Sequence, residues 1–360
     1  MRRCLVTGAG GLIGAHIVKA LLHADCSVLA LVRRGSTSRA LDGLSIDRVE
    51  GDVLVPDAAL LSACRECDTV FHAAAYFSYA AASADALQNL ATVGTENVLK
   101  AAAAEGVRRV VVTSSSVVFG YAVAETALLD ESTTLSADGR PPYIAAKVAQ
   151  HRRALALGVE LGLEIVLACP TITVGPTAVE LGPSNGLIAA YLNDPFRSTF
   201  AGGCNIVAAR DVAQGHVLLA TLGAPGESYL LGSGNLTWRD IHSLISELSG
   251  LPGPFIELNH TMAYLAASAE ELRARFQGRA ALSTTEQAAM IGRYYWYSHA
   301  KAGRLGYAPA SSRVALAEAI SWLVASPHVS REVRAGLRLS NDIYQVRTSH
   351  AGLGSTLRLP

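Results

Sequence analysis

An excess of charge of either sign is missing from this 360-residue chain: 30 Lys and Arg balance 30 Asp and Glu, and only 17% of residues are charged. Without a basic surplus, nothing in the composition draws the chain to nucleic acid or to an anionic membrane surface. Long apolar runs are missing too. Glycines interrupt the opening MRRCLVTGAGG before a signal peptide can form, and Ile165–Cys169 is far too short to span a bilayer. Cysteine is sparse, at positions 4, 26, 64, 67, 169 and 204. Cys64 and Cys67 form a CxxC with no second half, so the expectation is no metal, reduced thiols in or near the core, and a cytoplasmic protein. Internal repeats and low-complexity segments do not appear. Half of the residues are hydrophobic, enough for one large domain or two moderate ones with no disulfide or metal staple.

The first half alternates short β-rich runs with alanine- and leucine-rich helical patterns. Strands are predicted at Arg3–Thr7, Ser27–Arg33, Ile46–Glu50, Thr69–Ala73, Arg109–Ser114 and Glu164–Cys169, and helices at Leu12–Leu22, Ala84–Glu105 and Tyr143–Leu157. That rhythm predicts an α/β fold, a Rossmann-type doubly wound parallel sheet. Beyond Pro170 the rhythm changes. Leu187–Asn193, Val212–Leu222 and Trp238–Ser249 read as helices, the last capped by Thr237 with Asp240, and Tyr229–Gly232 as a strand. The expected organisation is a dinucleotide-binding domain with the catalytic residues over 1–175 and a smaller, largely helical substrate lobe over 176–330, with elements returning to the main sheet. Residues 331–360 are left as an unplaced C-terminal extension.

The strongest local signal is Thr7-Gly8-Ala9-Gly10-Gly11-Leu12-Ile13-Gly14, joining a predicted strand to a predicted helix. Glycines 8, 11 and 14 allow a tight turn and close approach of backbone to a pyrophosphate, which the helix-start amides around Leu12 and Ile13 face. At the end of the second strand, an acidic residue would accept from the ribose hydroxyls of NAD. Val32 cannot, whereas Arg33 or Arg34 could pair with a 2′-phosphate. NADP(H) is therefore expected ahead of NAD(H).

Tyr143 and Lys147 lie four residues apart on one helix face. A cation there favours the phenolate and helps the tyrosine exchange a proton with an alcohol or carbonyl, and the lysine can also hold the nicotinamide ribose. Upstream, Thr113-Ser114-Ser115-Ser116 ends a strand, where a hydroxyl can polarise the same substrate oxygen.

Taken in order, TGAGGLIG at 7–14, GDV at 51–53, VFHAAA at 70–75, TVGTENVL at 92–99, TSSSVVFG at 113–120, YIAAK at 143–147, PTITVGP at 170–176 and RDVAQGH at 210–216 resemble the extended short-chain dehydrogenase/reductases. That group lies within the NAD-dependent epimerase/dehydratase superfamily, and the look is of its dihydroflavonol-reductase and hydroxysteroid-dehydrogenase-like branch. The resemblance spans about residues 3–325. It implies Ser115, Tyr143 and Lys147 as the catalytic set. It also places Asp52 and Val53 at the adenine, Ala73, Ala74 and Ala75 along the cofactor trough, Thr92 near the cofactor, and Pro170 beside the nicotinamide. Two departures stand out. The asparagine of the family's NxxGT segment, which often completes the structural and proton-relay network, is Ala91 here, leaving Thr92 or Asn89 to substitute through water. The histidine that often precedes the later aspartate pair is also missing, which leaves Asp211 a structural role.

Tyr76, Phe77 and Tyr79 leave the fourth strand, while Val117 follows the serines and Thr171 follows Pro170. Together they suggest a pocket for an apolar or aromatic small molecule. Arg197 and Arg210 are the candidate cations for a second diphosphate. The expected activity is hydride transfer between NADP(H) and a carbonyl or secondary alcohol. The alternatives are a nucleotide-sugar epimerase with transient oxidation, or a catalytically silent binding protein. Ser116-Val117 stand where a dehydratase would place an Asp-Glu pair, so dehydration is not expected. The predicted partners are a small-molecule substrate and a second copy in a homodimer through the helices at 84–105 and 143–157, with no nucleic acid and no membrane.

Overall fold

Runs such as CLV, VLALV and VVV carry apolar side chains at consecutive positions, the pattern of strands buried on both faces. The computed structural model describes residues 3–36, 39–74, 84–122, 124–133, 135, 141–177, 181–276 and 291–351. These runs form seven parallel strands of one sheet: β1 (Arg3–Thr7), β2 (Ser27–Val32), β3 (Asp47–Glu50), β4 (Thr69–His72), β5 (Arg109–Thr113), β6 (Glu164–Pro170) and, arriving from the second lobe, β10 (Ser228–Leu231). The order is β10-β6-β5-β4-β1-β2-β3. From β1 the chain runs outward to β2 and β3, and β4 then returns to the other side of β1. Ligands of open parallel sheets bind outside the carboxyl ends of the strands at such a reversal.

Helices cover both faces. On one side lie α2 (Ala58–Cys64), α3 (Ala84–Ala104) and α4 (Pro142–Leu161); on the other lie α1 (Leu12–His23) and α6 (Ala209–Leu222). Buried Arg109 ties strand to helix: its guanidinium pairs with Glu164 at 2.7 Å and donates to the carbonyls of Leu219 and Ala220 at the end of α6. A cation suits that negative helix end.

The second lobe adds α5 (Pro183–Asn193), α7 (Trp238–Ser249) and further helices. The helix α7 starts on the predicted capping box, Asp240 N donating to Thr237 Oγ1 at 3.1 Å. The helix α6 begins at Ala209, three residues before the predicted start, with Asp211 in its first turn. Asp211 accepts from the Ala310 amide at 2.9 Å, the structural role its position suggested.

What the pattern did not predict are two small sheets. β9 (Gly203–Ala208) pairs with β7 (Ile172–Val174), β11 (Gly234–Thr237) and β13 (Tyr294–Tyr295), and β8 (Ser198–Phe200) pairs with β12 (Ile256–Leu258). Apart from the six-residue β9, these strands have two to four residues, and all are completed by pairing between distant segments rather than by a local pattern. Part of the unplaced C-terminal stretch is packed: Ile343 and Val346 on helix Asn341–Ala351 are buried against helix Ser312–Ala325. Among the described residues, no helix is long and apolar enough to cross a membrane.

All six cysteines are buried thiols outside any disulfide, and burial pushes Cys4, Cys64 and Cys169 up to about 12. Burial also drives four imidazoles neutral, His72 down to about 3 and His151, His216 and His242 down to about 4. Unfolded histidine titrates near 6.5, so this contribution is complete above that pH and is lost as pH falls from there to about 4, or to about 3 for His72. Each proton taken up on unfolding steepens the dependence by about 1.4 kcal/mol per pH unit. Urea unfolding midpoints should therefore drop sharply from pH 7 to pH 5; a midpoint constant over that range would contradict this assignment.

Candidate active site

The turn after β1 is built by what its glycines lack. A Cβ on Gly8, whose φ is +68°, would sit 2.5 Å from the Ala74 amide nitrogen; one on Gly14 would sit 2.1 Å from the Gly8 carbonyl oxygen. The turn closes with Gly11 N donating to Gly8 O at 3.0 Å. Gly11 then caps α1 with no side chain of its own, leaving the first-turn amides of Leu12, Ile13 and Gly14 directed at a ligand. Beside it, Ala73 N donates to Thr7 O at 3.2 Å. This cradle of bare backbone, closed to any side chain, fits a dinucleotide pyrophosphate.

The adenosine end opens into a cleft of about 570 Å³ lined by Arg33, Arg34, Glu50, Asp52 and Asp57. Asp52 accepts from Leu54 N at 2.9 Å, and Asn97 donates to the Val53 carbonyl at 3.0 Å, fixing the 52–54 turn beside α3. The Arg34 guanidinium lies 3.8 Å from the Glu50 carboxylate. The charge at the end of β2 is therefore countered by a carboxylate from the adjacent strand, which reading β2 alone does not reveal.

The third group of predicted residues also stands at the carboxyl edge. Ser115 follows β5, is buried, and precedes a 3-10 turn over Ser116–Phe119 that packs on α4. Tyr143 is half-buried in the first turn of α4, and Lys147 one turn later is buried. Burial pushes the Lys147 ammonium down to about 8. Its Nζ donates to Gln150 Oε1 at 2.9 Å, a contact the motif did not suggest. The other serines serve the scaffold: Ser114 meets His151 at 2.8 Å, while Thr113 meets His216 at 2.9 Å.

The two candidate substitutes for the missing asparagine differ in setting. Thr92 Oγ1 donates back to the Gln88 carbonyl at 2.9 Å, and Asn89 is exposed. One turn on from Ala91, Thr95 is buried on the inner face of α3.

On the substrate side, Val117 packs on the core, and Pro170 ends β6 paired with Leu231. Thr171 is buried and donates to Asn205 Oδ1 at 2.8 Å, so its hydroxyl is committed to β9. Ala75, Tyr76, Phe77 and Tyr79 lie outside the described residues. The aromatic segment 294–297 braces the serine loop: Ala122 and Tyr294 exchange backbone hydrogen bonds, and Tyr297 OH donates to Gly120 O at 2.6 Å.

A family model described as the NAD dependent epimerase/dehydratase family matches residues 4–232. The chain is 30% identical over 323 residues to a putative dihydroflavonol 4-reductase of Synechocystis sp., covering 88% of this chain and 93% of that one. It is 28% identical to a 2-alkyl-3-oxoalkanoate reductase of Stenotrophomonas maltophilia, covering 90% and 99%. Among solved structures it is similar to gox2253, at 28% identity and a TM-score of 0.80, covering 92% and 100%. The fold is also shared by DesIV, a dTDP-glucose 4,6-dehydratase of Streptomyces venezuelae solved with NAD, at 23% identity and a TM-score of 0.71, covering 92% and 99%. The Thermus thermophilus UDP-glucose 4-epimerase, solved in complex with NAD, is 20% identical with a TM-score of 0.68, covering 88% and 99%. MoeE5 was likewise solved with NAD.

These complexes overturn the expected NADP(H) preference: the similar structures with a named dinucleotide hold NAD. The physical reason lies in the cleft. Glu50, Asp52 and Asp57 share it with Arg33 and Arg34, so it is not the uncompensated cationic pocket that a 2′-phosphate would favour.

Proposed function

The chain belongs to the NAD dependent epimerase/dehydratase family as an enzyme of the extended short-chain type acting on a small metabolite, and from that premise we propose that it oxidises a secondary alcohol transiently and returns the hydride within one cycle, the epimerase course, with NAD(H). With its pyrophosphate held in the glycine cradle, a bound dinucleotide would supply, through its nicotinamide, the hydride acceptor and donor. Tyr143 takes the alcohol proton and gives it back, Ser115 hydrogen-bonds the same oxygen, and the Lys147 cation favours the tyrosinate. The family description and the NAD-bound nucleotide-sugar enzymes of this fold support the closed cycle. The observation that carries the chemistry is the gathering of the glycine turn, Ser115, Tyr143 and Lys147 at one sheet edge.

Net carbonyl reduction is the second reading. The two curated relatives with near full-length overlap described above are named reductases, and neither candidate diphosphate cation is offered to a ligand. Arg210 pairs with Glu318 at 2.8 Å, while Arg197 donates to the Tyr191 carbonyl at 2.8 Å.

The two courses separate in one experiment. The purified chain is incubated with NAD(H) and a panel of nucleotide sugars, ketones and aldehydes, following product and reduced-nicotinamide absorbance together. Epimer formation at constant absorbance is expected; stoichiometric loss of NADH would establish the reductive course instead. Binding of NAD(H) with no turnover across the panel would defeat both.

A further inference from the structure

We propose that Gln150 is the residue that positions Lys147 here, doing from α4 what the family's asparagine does from α3. The inference rests on the catalytic reading above, but the contacts behind it belong to the chain alone. Lys147 and Gln150 are both buried, at 5% and 2% exposure. An ammonium has only protons to give, so Gln150 must turn its oxygen toward Nζ, and its amide nitrogen must then find an acceptor. It does: Gln150 Nε2 donates to Thr95 Oγ1 at 2.9 Å. Thr95 spends its own proton on the Ala91 carbonyl, also at 2.9 Å.

Beyond Thr95 the chain of bonds continues with every direction fixed. Since the Thr95 proton is spent, His72 Nε2, 3.1 Å away, is the donor to it. His72 Nδ1 is then the acceptor for the Thr7 hydroxyl at 2.8 Å. Thr7 Oγ1 in turn accepts from Ala74 N at 3.4 Å, beside the glycine cradle. The series joins the lysine to the floor of the cofactor cleft with no mismatched donor or acceptor. Ala91 still takes part, but through its carbonyl, which needs no particular side chain. The position three residues after the lysine supplies what position 91 has lost.

Few groups can compensate for loss of this contact. The ionisable groups facing Lys147 are neutral His72 on β4, which the lysine charge helps keep unprotonated, and the Cys169 thiol on β6, with Tyr143 one turn away on α4.

The test exploits the four lysines of the chain, at 19, 100, 147 and 301, whose side-chain carbons can be labelled and titrated individually by NMR in the full-length protein. Unaltered Lys147 is expected to titrate near 8. Gln150→Leu removes the acceptor and leaves the ammonium poorly compensated, so its titration should fall by at least about one pH unit. Gln150→Glu, which keeps an acceptor oxygen, should raise it and provides the reading if the leucine variant does not fold. In turnover, Gln150→Leu should lower kcat about tenfold or more, with its alkaline limb moved to lower pH and the substrate KM little changed. A residue that merely packs would lower the unfolding midpoint and leave kcat per folded molecule and its pH profile where they were. Identical Lys147 titrations in the unaltered, Leu and Glu chains would overturn the proposal. Absence of turnover in the unaltered chain would instead remove the catalytic reading, and the titrations would still decide what Gln150 does to Lys147.

Discussion

Replacing Tyr143 by phenylalanine is expected to lower turnover about a thousandfold while leaving folding and NAD(H) affinity nearly unchanged. The substitution removes one oxygen and keeps the half-buried ring in the first turn of α4. It does not touch the glycine cradle across the sheet edge. Proton exchange with the substrate oxygen then has no acid or base at that place, and the remaining groups only orient the reactants. Ser115→Ala should cost less, about a hundredfold, because it removes a hydrogen-bond donor rather than the proton carrier. Stopped-flow rates on the substrate found by the panel, with NADH binding measured in parallel, decide it. A Tyr143→Phe chain that turns over at the unaltered rate would end the assignment in both its epimerase and reductase forms.

Much of the main sheet could be read in advance because its strands are buried on both faces and leave continuous apolar runs, and because the glycine turn joins strand to helix in the required order. The candidate site could be proposed from sequence to the extent that it is local: glycines 8–14, Ser115, and Tyr143 with Lys147. What stayed hidden is set by contacts between distant segments. Glu50 meets Arg34 only because β3 lies beside β2. Gln150 looks like an ordinary helix residue until Thr95 from α3 and Lys147 occupy its two ends. Tyr297 holds the loop after Ser115 from 177 residues away, a distance over which no periodicity carries information. The strands of the second lobe rely on the same kind of long-range pairing.

The glycine cradle yields the other large effect, at Gly14. Intrinsic helix propensity alone would make Gly14→Ala in α1 favourable by about 1 kcal/mol. The surroundings reverse the sign. The new methyl would meet the Gly8 carbonyl oxygen at 2.1 Å, the Gly8 carbonyl carbon at 2.7 Å and the Ala9 Cα at 3.0 Å. All three belong to backbone, so no side chain can swing aside; helix and turn must separate. Overpacking of this kind costs about 1–3 kcal/mol, and it deforms the loop whose amides would meet the pyrophosphate. Gly14→Ala is therefore expected to weaken NAD(H) binding by at least about tenfold and to lower the unfolding midpoint. Gly186, inside α5, is the control, since a Cβ there meets nothing within 4 Å. Gly186→Ala should leave NAD(H) binding alone and hold or slightly raise stability, as propensity predicts. Fluorescence titration with NADH and urea unfolding on both variants would separate the two cases. If Gly14→Ala bound NADH as tightly as the unaltered chain, the turn after β1 could not be the pyrophosphate site.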